Sequence, residues 1–369
     1  MKIFIINWRD IKNPLSGGAE IFTHEIAKRW VKRGHDVTWF TSAFDKASET
    51  EVIDGIRIIR QGFPDLRHLQ NSVHFKVYSF YKKNIHDKYD VIIDEIHGIP
   101  FLAPLYMKEP VVPLICEVAD TIWDRMFPFP WNKIGKLAER LSLSLYKNKK
   151  FLTISPSTKD DLVRYGIPKK SITVLPMGIN REKIKLNEKE KQLTIIFVAR
   201  INKMKGIEDA IKAMTFVTKE YPLAKLWIIG RGDEDYIYRL KKDINNLLLT
   251  ENIIFWNFIT QKKKFKLMSK AHILISPSSK EGFGLTIPEA GSVGTPAIVY
   301  NVPGLRDIVD DRNGIVLKKN TPEELGKQII TLFQNKKMYN TKRKWALETS
   351  KFYDWEKTTE AALQILNNS

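Results

Sequence analysis

The chain is expected to fold as two Rossmann-like α/β domains, each built on a parallel sheet. Its 369 residues suffice for two domains at roughly 150 residues apiece. Apolar runs of four to seven residues alternate with longer stretches of helical period, the pattern of repeated βαβ units. A strongly charged, apolar-poor segment near the middle separates two such series.

The first series opens with a strand at 2–6, a helix at 18–33 that Gly34 closes at its C′ position, and a strand at 37–40, which together make one βαβ unit. Further strands are predicted at 56–60, 91–94, 111–115 and 151–154. The second series has strands at 194–198, 225–229, 253–255, 272–276, 296–299 and 314–317. Helices fit between them at 207–219, 234–248, 262–268, 287–293 and 321–334. The charged segment 181–192 is the natural linker, which divides the chain into domains 1–184 and 185–349. Two open α/β domains on one linker are expected to turn the carboxyl ends of their sheets toward a central cleft, where ligands of this architecture bind.

Composition narrows the function. With 43% hydrophobic and 28% charged residues the chain is globular, which excludes disordered and collagenous classes. No window of membrane-spanning length is both apolar and uncharged. The apolar start at residues 3–6 is too short for a secretory leader and reads as a buried strand. A single cysteine, Cys116, leaves neither a disulfide nor a cysteine-based zinc cluster, so a cytoplasmic location is the expectation. Sixty Lys and Arg against 42 Asp and Glu give a net charge of +18, which favours an anionic partner. Nucleic acid is the rival partner, but no helix-turn-helix, RNP-like, KH or zinc-finger pattern is present, so it is not expected.

Three loops carry candidate chemistry. Ser16-Gly17-Gly18-Ala19-Glu20 follows the first strand and opens a helix, where small residues let phosphate oxygens reach backbone N–H groups at a positive helix end. It has neither the dinucleotide-binding nor the Walker spacing. Arg200-Ile-Asn-Lys203-Met-Lys205-Gly206 follows the strand at 194–198 and reads as a diphosphate clamp, with Arg binding bidentately and Lys as a point charge. The third, Lys280-Glu281-Gly282-Phe283-Gly284-Leu285-Thr-Ile-Pro-Glu289, splits two carboxylates between a loop and a helix. That arrangement accepts hydrogen bonds from two separate sets of hydroxyls, and its spacing suits neither metal ligation nor an acid/base pair.

These motifs resemble the retaining, nucleotide-sugar-dependent glycosyltransferases of family four, which have the GT-B architecture. Glu281 and Glu289 meet the family's Glu-x7-Glu signature, and Ala290 to Val299 continues it through Gly294-Thr295-Pro296. Gly17 and Gly18, Arg200 and Lys205, Ile228 to Gly232 and Val302 to Val309 match further family segments in order. The resemblance implies that Glu281 holds the donor-sugar hydroxyls and Glu289 the ribose. It places Arg200 and Lys205 on the diphosphate, the backbone at Gly18 on the departing phosphate, and Phe258 and Ile259 beside the base. Gly282, Phe283, Gly284 and Leu285 would complete the donor loop. The family also implies transfer with retention, no obligatory metal, no cofactor beyond the nucleotide-sugar co-substrate, and residues 350–369 packed back on the first domain. Family members carry a histidine where this chain has Cys116. His97 is then the nearest polar candidate on the acceptor side, with Glu117 and Asp120 as further lining residues. Met177 stands where the family has Asn.

The acceptor remains open between a glycan and a lipid-linked glycan. Residues 131–150 hold six Lys and Arg and one acid, Glu139, and follow the aromatic stretch Phe127-Pro-Phe129-Pro-Trp131. Basic helices flanked by aromatics suit an anionic membrane surface such as the inner face of the cell membrane. Leu137, Leu141 and Leu145 describe an ordinary core face equally well. A non-catalytic relative that only binds a nucleotide-sugar is the alternative to the enzyme, prompted by Cys116.

Overall fold

The computed structural model describes residues 1–64, 69–85, 89–181 and 188–369. It divides into two units: Met1–Gly178 with Trp355–Ser369, and Ile179–Asp354.

Unit 1 runs β1 (Lys2–Ile6), α1 (Gly18–Lys32), β2 (Asp36–Thr41), β3 (Thr50–Ile53), β4 (Ile56–Arg60), α2 (Val73–Phe80), β5 (Val91–Glu95), β6 (Val111–Ile115), α3 (Thr121–Met126), α4 (Trp131–Ser144), β7 (Phe151–Thr153), α5 (Pro156–Arg164) and β8 (Ile172–Val174). The sheet order is β3-β4-β2-β1-β5-β6-β7-β8, parallel except for the β3–β4 hairpin. The inner strands are buried on both faces, which is why Ile3, Phe4, Ile5 and Ile6 form a continuous apolar run without alternation.

Unit 2 runs β9 (Thr194–Val198), α6 (Ile207–Glu220), β10 (Lys225–Ile229), α7 (Glu234–Asn246), β11 (Ile253–Asn257), α8 (Gln261–Lys270), β12 (Ile273–Ser276), α9 (Thr286–Gly291), β13 (Ala297–Val299), β14 (Gly314–Val316), α10 (Pro322–Gln334) and α11 (Lys336–Ser350). Its all-parallel order is β11-β10-β9-β12-β13-β14.

The final helix, α12 (Trp355–Asn367), belongs to unit 1. It lies against α1, with Trp355, Ala362, Leu363 and Leu366 buried. Thr358 Oγ1 donates to the Pro176 carbonyl at 2.7 Å. Arg29 and Arg33 reach Glu356, and Arg33 also reaches Glu360. Those acids are more than half exposed, so burial of the apolar residues, at about 1.5–3 kcal/mol each, outweighs the ion pairs.

The units part at 178/179 and 354/355, against the 184/185 and 349/350 read from the charged segment. Two contacts explain the shift. The Ile179 N–H donates to the Tyr353 carbonyl at 3.3 Å, and Tyr353 packs its ring against Phe283 at 5.7 Å, so both chain passages are already part of unit 2. The second half of the charged segment is also tied down there, since Lys189 Nζ donates to the Ala271 carbonyl and Thr295 Oγ1 at 2.6 and 2.7 Å. Residues 182–187 of the expected linker lie outside the described residues.

The loop from β1 to α1 is held by one buried ion pair. Arg60, from the end of β4, donates to both Asp10 oxygens, Nε at 2.7 Å and Nη2 at 3.2 Å, with side chains 1% and 0% exposed. Asn13 then folds the loop back through its side chain, which accepts the Leu15 N–H, and its carbonyl, which accepts the Ser16 N–H. Removing one partner of such a pair strands a buried charge. Arg60→Met is therefore expected to cost unit 1 about 3–5 kcal/mol, read as a lowered urea midpoint.

Candidate active site

In unit 2 the chain leaves the neighbouring strands β9 and β12 in opposite lateral directions, toward β10 and toward β13. This is a topological switch point, where the loops part and leave room for a ligand. The loop after β9 ends in a short 3-10 turn, Lys203–Lys205, in which Asn202 Oδ1 accepts the Lys205 N–H at 3.1 Å. At Gly206 φ is +72°, and a Cβ would lie 2.0 Å from the Pro277 carbonyl oxygen, so glycine is what lets this loop rest on the one after β12. The Ser279 N–H joins them by donating to the Met204 carbonyl at 2.9 Å.

This packing brings the two predicted loops into contact through their functional groups. Lys205 Nζ donates to Glu281 Oε1 at 2.6 Å, and Ser278 Oγ donates to the same oxygen at 3.4 Å. Arg200 stands exposed at the head of the first loop. Gly282, Gly284 and Leu285 carry the chain from Glu281 into α9. The Phe283 ring is 5% exposed and packs on Tyr353, so that side chain anchors the loop.

Glu289 is nearly buried in α9, and Lys264 of α8 donates to both of its oxygens at 2.7 Å. Burial pushes the Glu289 carboxyl above its ordinary range, and Lys264 pulls against that. Each carboxylate of the Glu-x7-Glu pattern thus has a lysine of its own. Beside them, Phe258 is 67% exposed at the end of β11, and the Arg231 guanidinium lies 4.1 Å above its ring. Ile259 follows it, partly exposed. Because β11, β10 and β9 are adjacent, Phe258, Arg231 and Arg200 stand on three successive loops of one sheet edge.

Unit 1 has its own switch point between β1 and β5. Gly17 begins α1 with its N–H already donated to Glu20 Oε2 at 2.6 Å, whereas a side chain at Gly18 would meet nothing within 4 Å. Facing this helix start, Glu95 is fully buried at the end of β5 and accepts from Thr23 Oγ1 at 2.6 Å. His97 Nε2 lies 3.2 Å from the other Glu95 oxygen, and its side chain is 25% exposed. Burial opposes charge on the His97 ring, but the bond to Glu95 and the charges of Glu95 and Glu20 outweigh it and raise the imidazole above its ordinary range.

Cys116 is buried, and burial together with the charges of Glu95, Glu20 and Glu117 pushes its thiol well up, so it is a neutral thiol rather than a thiolate. Asp120 has φ +31° and turns to Lys136 at 3.6 Å. Its N–H, that of Ala119 and the Trp123 indole all donate to the buried Glu139. Among the described residues no group of three or more His, Cys, Asp or Glu is arranged to hold a metal.

Sequence reasoning missed Lys264, Arg231, Thr23 and Glu95. Glu95 had a signal, because residues two apart at a strand end face the same way and His97 was already a candidate. Lys264 and Arg231 had none beyond their place on helix α8 and a strand-following loop.

With this geometry in place, the comparisons give the class. Residues 16–183 match Glycosyltransferase Family 4 and residues 178–348 match Glycosyl transferases group 1. An uncharacterized glycosyltransferase of Methanocaldococcus jannaschii is 27% identical over 88% of this chain and 87% of its own length. The alpha-monoglucosyldiacylglycerol synthase of Acholeplasma laidlawii is 30% identical over 61% of this chain and 60% of its own. Further curated relatives are matched over 25% to 92% of their own length. The Anabaena HepE protein, solved in complex with UDP and glucose, superposes with a TM-score of 0.76 at 19% identity over all of both chains. The fold is GT-B. The chain belongs to the family-four, group 1 type of glycosyltransferases.

The Glu95–His97 contact predicts a pH effect. A histidine whose folded-state pKa is raised contributes stability that is fully present below its unfolded value near 6.5 and is lost as pH rises through the folded value. An NMR titration of the native protein is expected to place His97 above 6.5, and Glu95→Gln to bring it below, since burial then prevails.

Proposed function

We propose that this protein moves a hexose from a UDP-sugar to a hydroxyl of a glycan or lipid-linked acceptor, with retention of anomeric configuration and no metal ion. The observation that carries the reading is the Lys205–Glu281 pair at the β9/β12 switch point, with Glu289 and Lys264 behind it. In the free protein Lys205 and Glu281 neutralise each other. A bound donor replaces each partner: its diphosphate takes Lys205 and Arg200, and its sugar hydroxyls take Glu281. Glu289, held by Lys264, accepts the ribose hydroxyls, and the base lies on the Phe258 and Arg231 surface beside Ile259.

Transfer forms the acceptor oxygen to anomeric carbon bond and breaks the bond to the diphosphate, which carries off the hydroxyl proton. Cationic groups aimed at the diphosphate stabilise the charge that grows as that bond breaks, and this is the largest contribution. His97, whose imidazole the bond to Glu95 raises above its ordinary range, is the polar group of unit 1 assigned to the acceptor side, where Cys116 stands in place of the family histidine. Positioning of the acceptor supplies the remainder. The UDP complex of the Anabaena protein supports a UDP donor. The Acholeplasma enzyme, named for an alpha-glucosylated lipid, supports retention and a glycolipid acceptor.

Thermal midpoints measured with UDP-, GDP- and ADP-sugars in the presence of a chelator test the donor, because a ligand that binds the folded state raises its apparent stability. A shift selective for UDP-sugars is expected, and no shift with any of them overturns the reading. Glu281→Gln separates the roles. Transfer is expected to fall roughly a hundredfold while UDP affinity stays within a few fold, since Lys205 is left free for the diphosphate. Equal losses in both measurements would move Glu281 from the sugar to the nucleotide.

A further inference from the structure

Helix α4 is packed the opposite way round from an ordinary surface helix. Its face toward unit 1 is made of Gly135, Glu139 and Leu143, all buried. The residues pointing outward are Trp131, Ile134, Leu137, Leu141 and, one residue past the helix end, Leu145, exposed by 61%, 50%, 57%, 59% and 45%. Phe129, just before the helix, is 78% exposed. Steps of three and four residues place them in one stripe along the helix. The three leucines therefore lie outside the core, although their spacing alone allowed a core face.

The orientation is locked. A Cβ at Gly135 would lie 2.3 Å from the Trp123 ring, so the helix backbone sits directly on that indole. Glu139 accepts the N–H groups of Ala119 and Asp120 and the Trp123 Nε1–H at 2.8 to 3.1 Å. Leu143 is part of the main apolar cluster of unit 1. Turning the leucines inward would bury their area but would strand the Glu139 carboxylate's three donors and push side chains into Trp123. An aligned row of exposed large apolar residues of this length marks a binding surface.

The flank of the stripe is cationic. Lys133 and Arg140, seven residues and about two turns apart, are exposed along one side. Lys147 and Lys150 continue the positive charge beyond the helix. The helix's one acid, Glu139, is buried and so presents nothing negative there.

We infer that α4 with Phe129 is an interfacial membrane-docking surface: its apolar stripe enters the headgroup boundary of an anionic bilayer, and Lys133 and Arg140 meet the lipid phosphates. Apolar insertion supplies the binding and the cations supply the preference for anionic lipid. The inference deepens the membrane-bound acceptor of the proposed function and uses none of the donor residues. Vesicle binding is measured without a nucleotide-sugar, so its failure leaves the transfer reaction standing, and failure of the donor panel leaves the docking surface standing.

The test is co-sedimentation of the full chain with vesicles of pure phosphatidylcholine and of phosphatidylcholine with 30% phosphatidylglycerol, roughly the anionic share of a charged leaflet. Binding to the anionic vesicles is expected, weakening as salt is added. Leu137→Gln with Leu141→Gln is expected to lower partitioning about tenfold or more at an unchanged thermal midpoint, because both side chains are already in water. Lys133→Gln with Arg140→Gln is expected to lower binding to anionic vesicles about tenfold and to leave the weak binding to phosphatidylcholine alone. Native protein that fails to sediment with anionic vesicles overturns the inference, as does unchanged binding by the leucine variant. A dimer in sedimentation velocity that the leucine variant dissolves would assign the face to a second copy of the chain instead.

Discussion

The loops after β9 and β12 of unit 2 meet through the Lys205–Glu281 ion pair. Lys205 and Glu281 face each other at 2.6 Å because Gly206 lets one loop lie on the other and Asn202 fixes the turn that aims the lysine. Both side chains are about one-fifth exposed, so water screens the pair in part and its contribution to stability is small. Its value is positional. A free cation and a free carboxylate on mobile side chains would have to be ordered on binding any ligand, whereas here each is already held in place. Glu289 and Lys264 repeat the arrangement deeper in the protein, where screening is weaker and the pair more rigid.

The same logic runs through unit 1 with other donors. Glu95 is fully buried and is held by a threonine and a histidine, Glu139 by two backbone N–H groups and an indole, and Asp94 by Tyr146 and the N–H groups of Phe101 and Ala103. Burial pushes the Asp94 carboxyl up to about 6 against those hydrogen bonds. Carboxylates are thus drawn inward to organise the loops after strands, while most lysines stay outside. The net charge of +18 understates how positive the exterior is. Buried acids fix loop geometry.

Both sheets were legible in the sequence because their inner strands are buried on two faces and read as unbroken apolar runs. The short strands β3 and β8 were not. β3 alternates exposed and half-buried residues at the sheet edge, and its signal lay in the Asp54-Gly55 turn, whose two positive φ angles suit a tight hairpin. β8 has three residues, too few for any periodicity. Of the candidate site, the residues on loops after strands were readable from position alone. Their partners were not: Lys264 is one lysine among three in succession on α8, and only the fold shows that it alone turns toward Glu289. Phe283 has the opposite problem, since an aromatic between two glycines reads as ligand-facing until Tyr353 is seen packing on it.

Cys116 and His97 follow adjacent strands of one sheet and lie under the influence of the same buried acids, Glu95 and Glu20. β5 and β6 are adjacent and parallel, with Glu95 paired to Leu114 in register, so a residue just after β5 reaches the space in front of a residue just after β6. A thiol at 116 is neutral, small and buried, and its own titration is suppressed by the acids around it. Glu95 and Glu20 also raise His97 above its ordinary range. The imidazole at residue 97 is tied to a buried carboxylate whose other oxygen is held by Thr23.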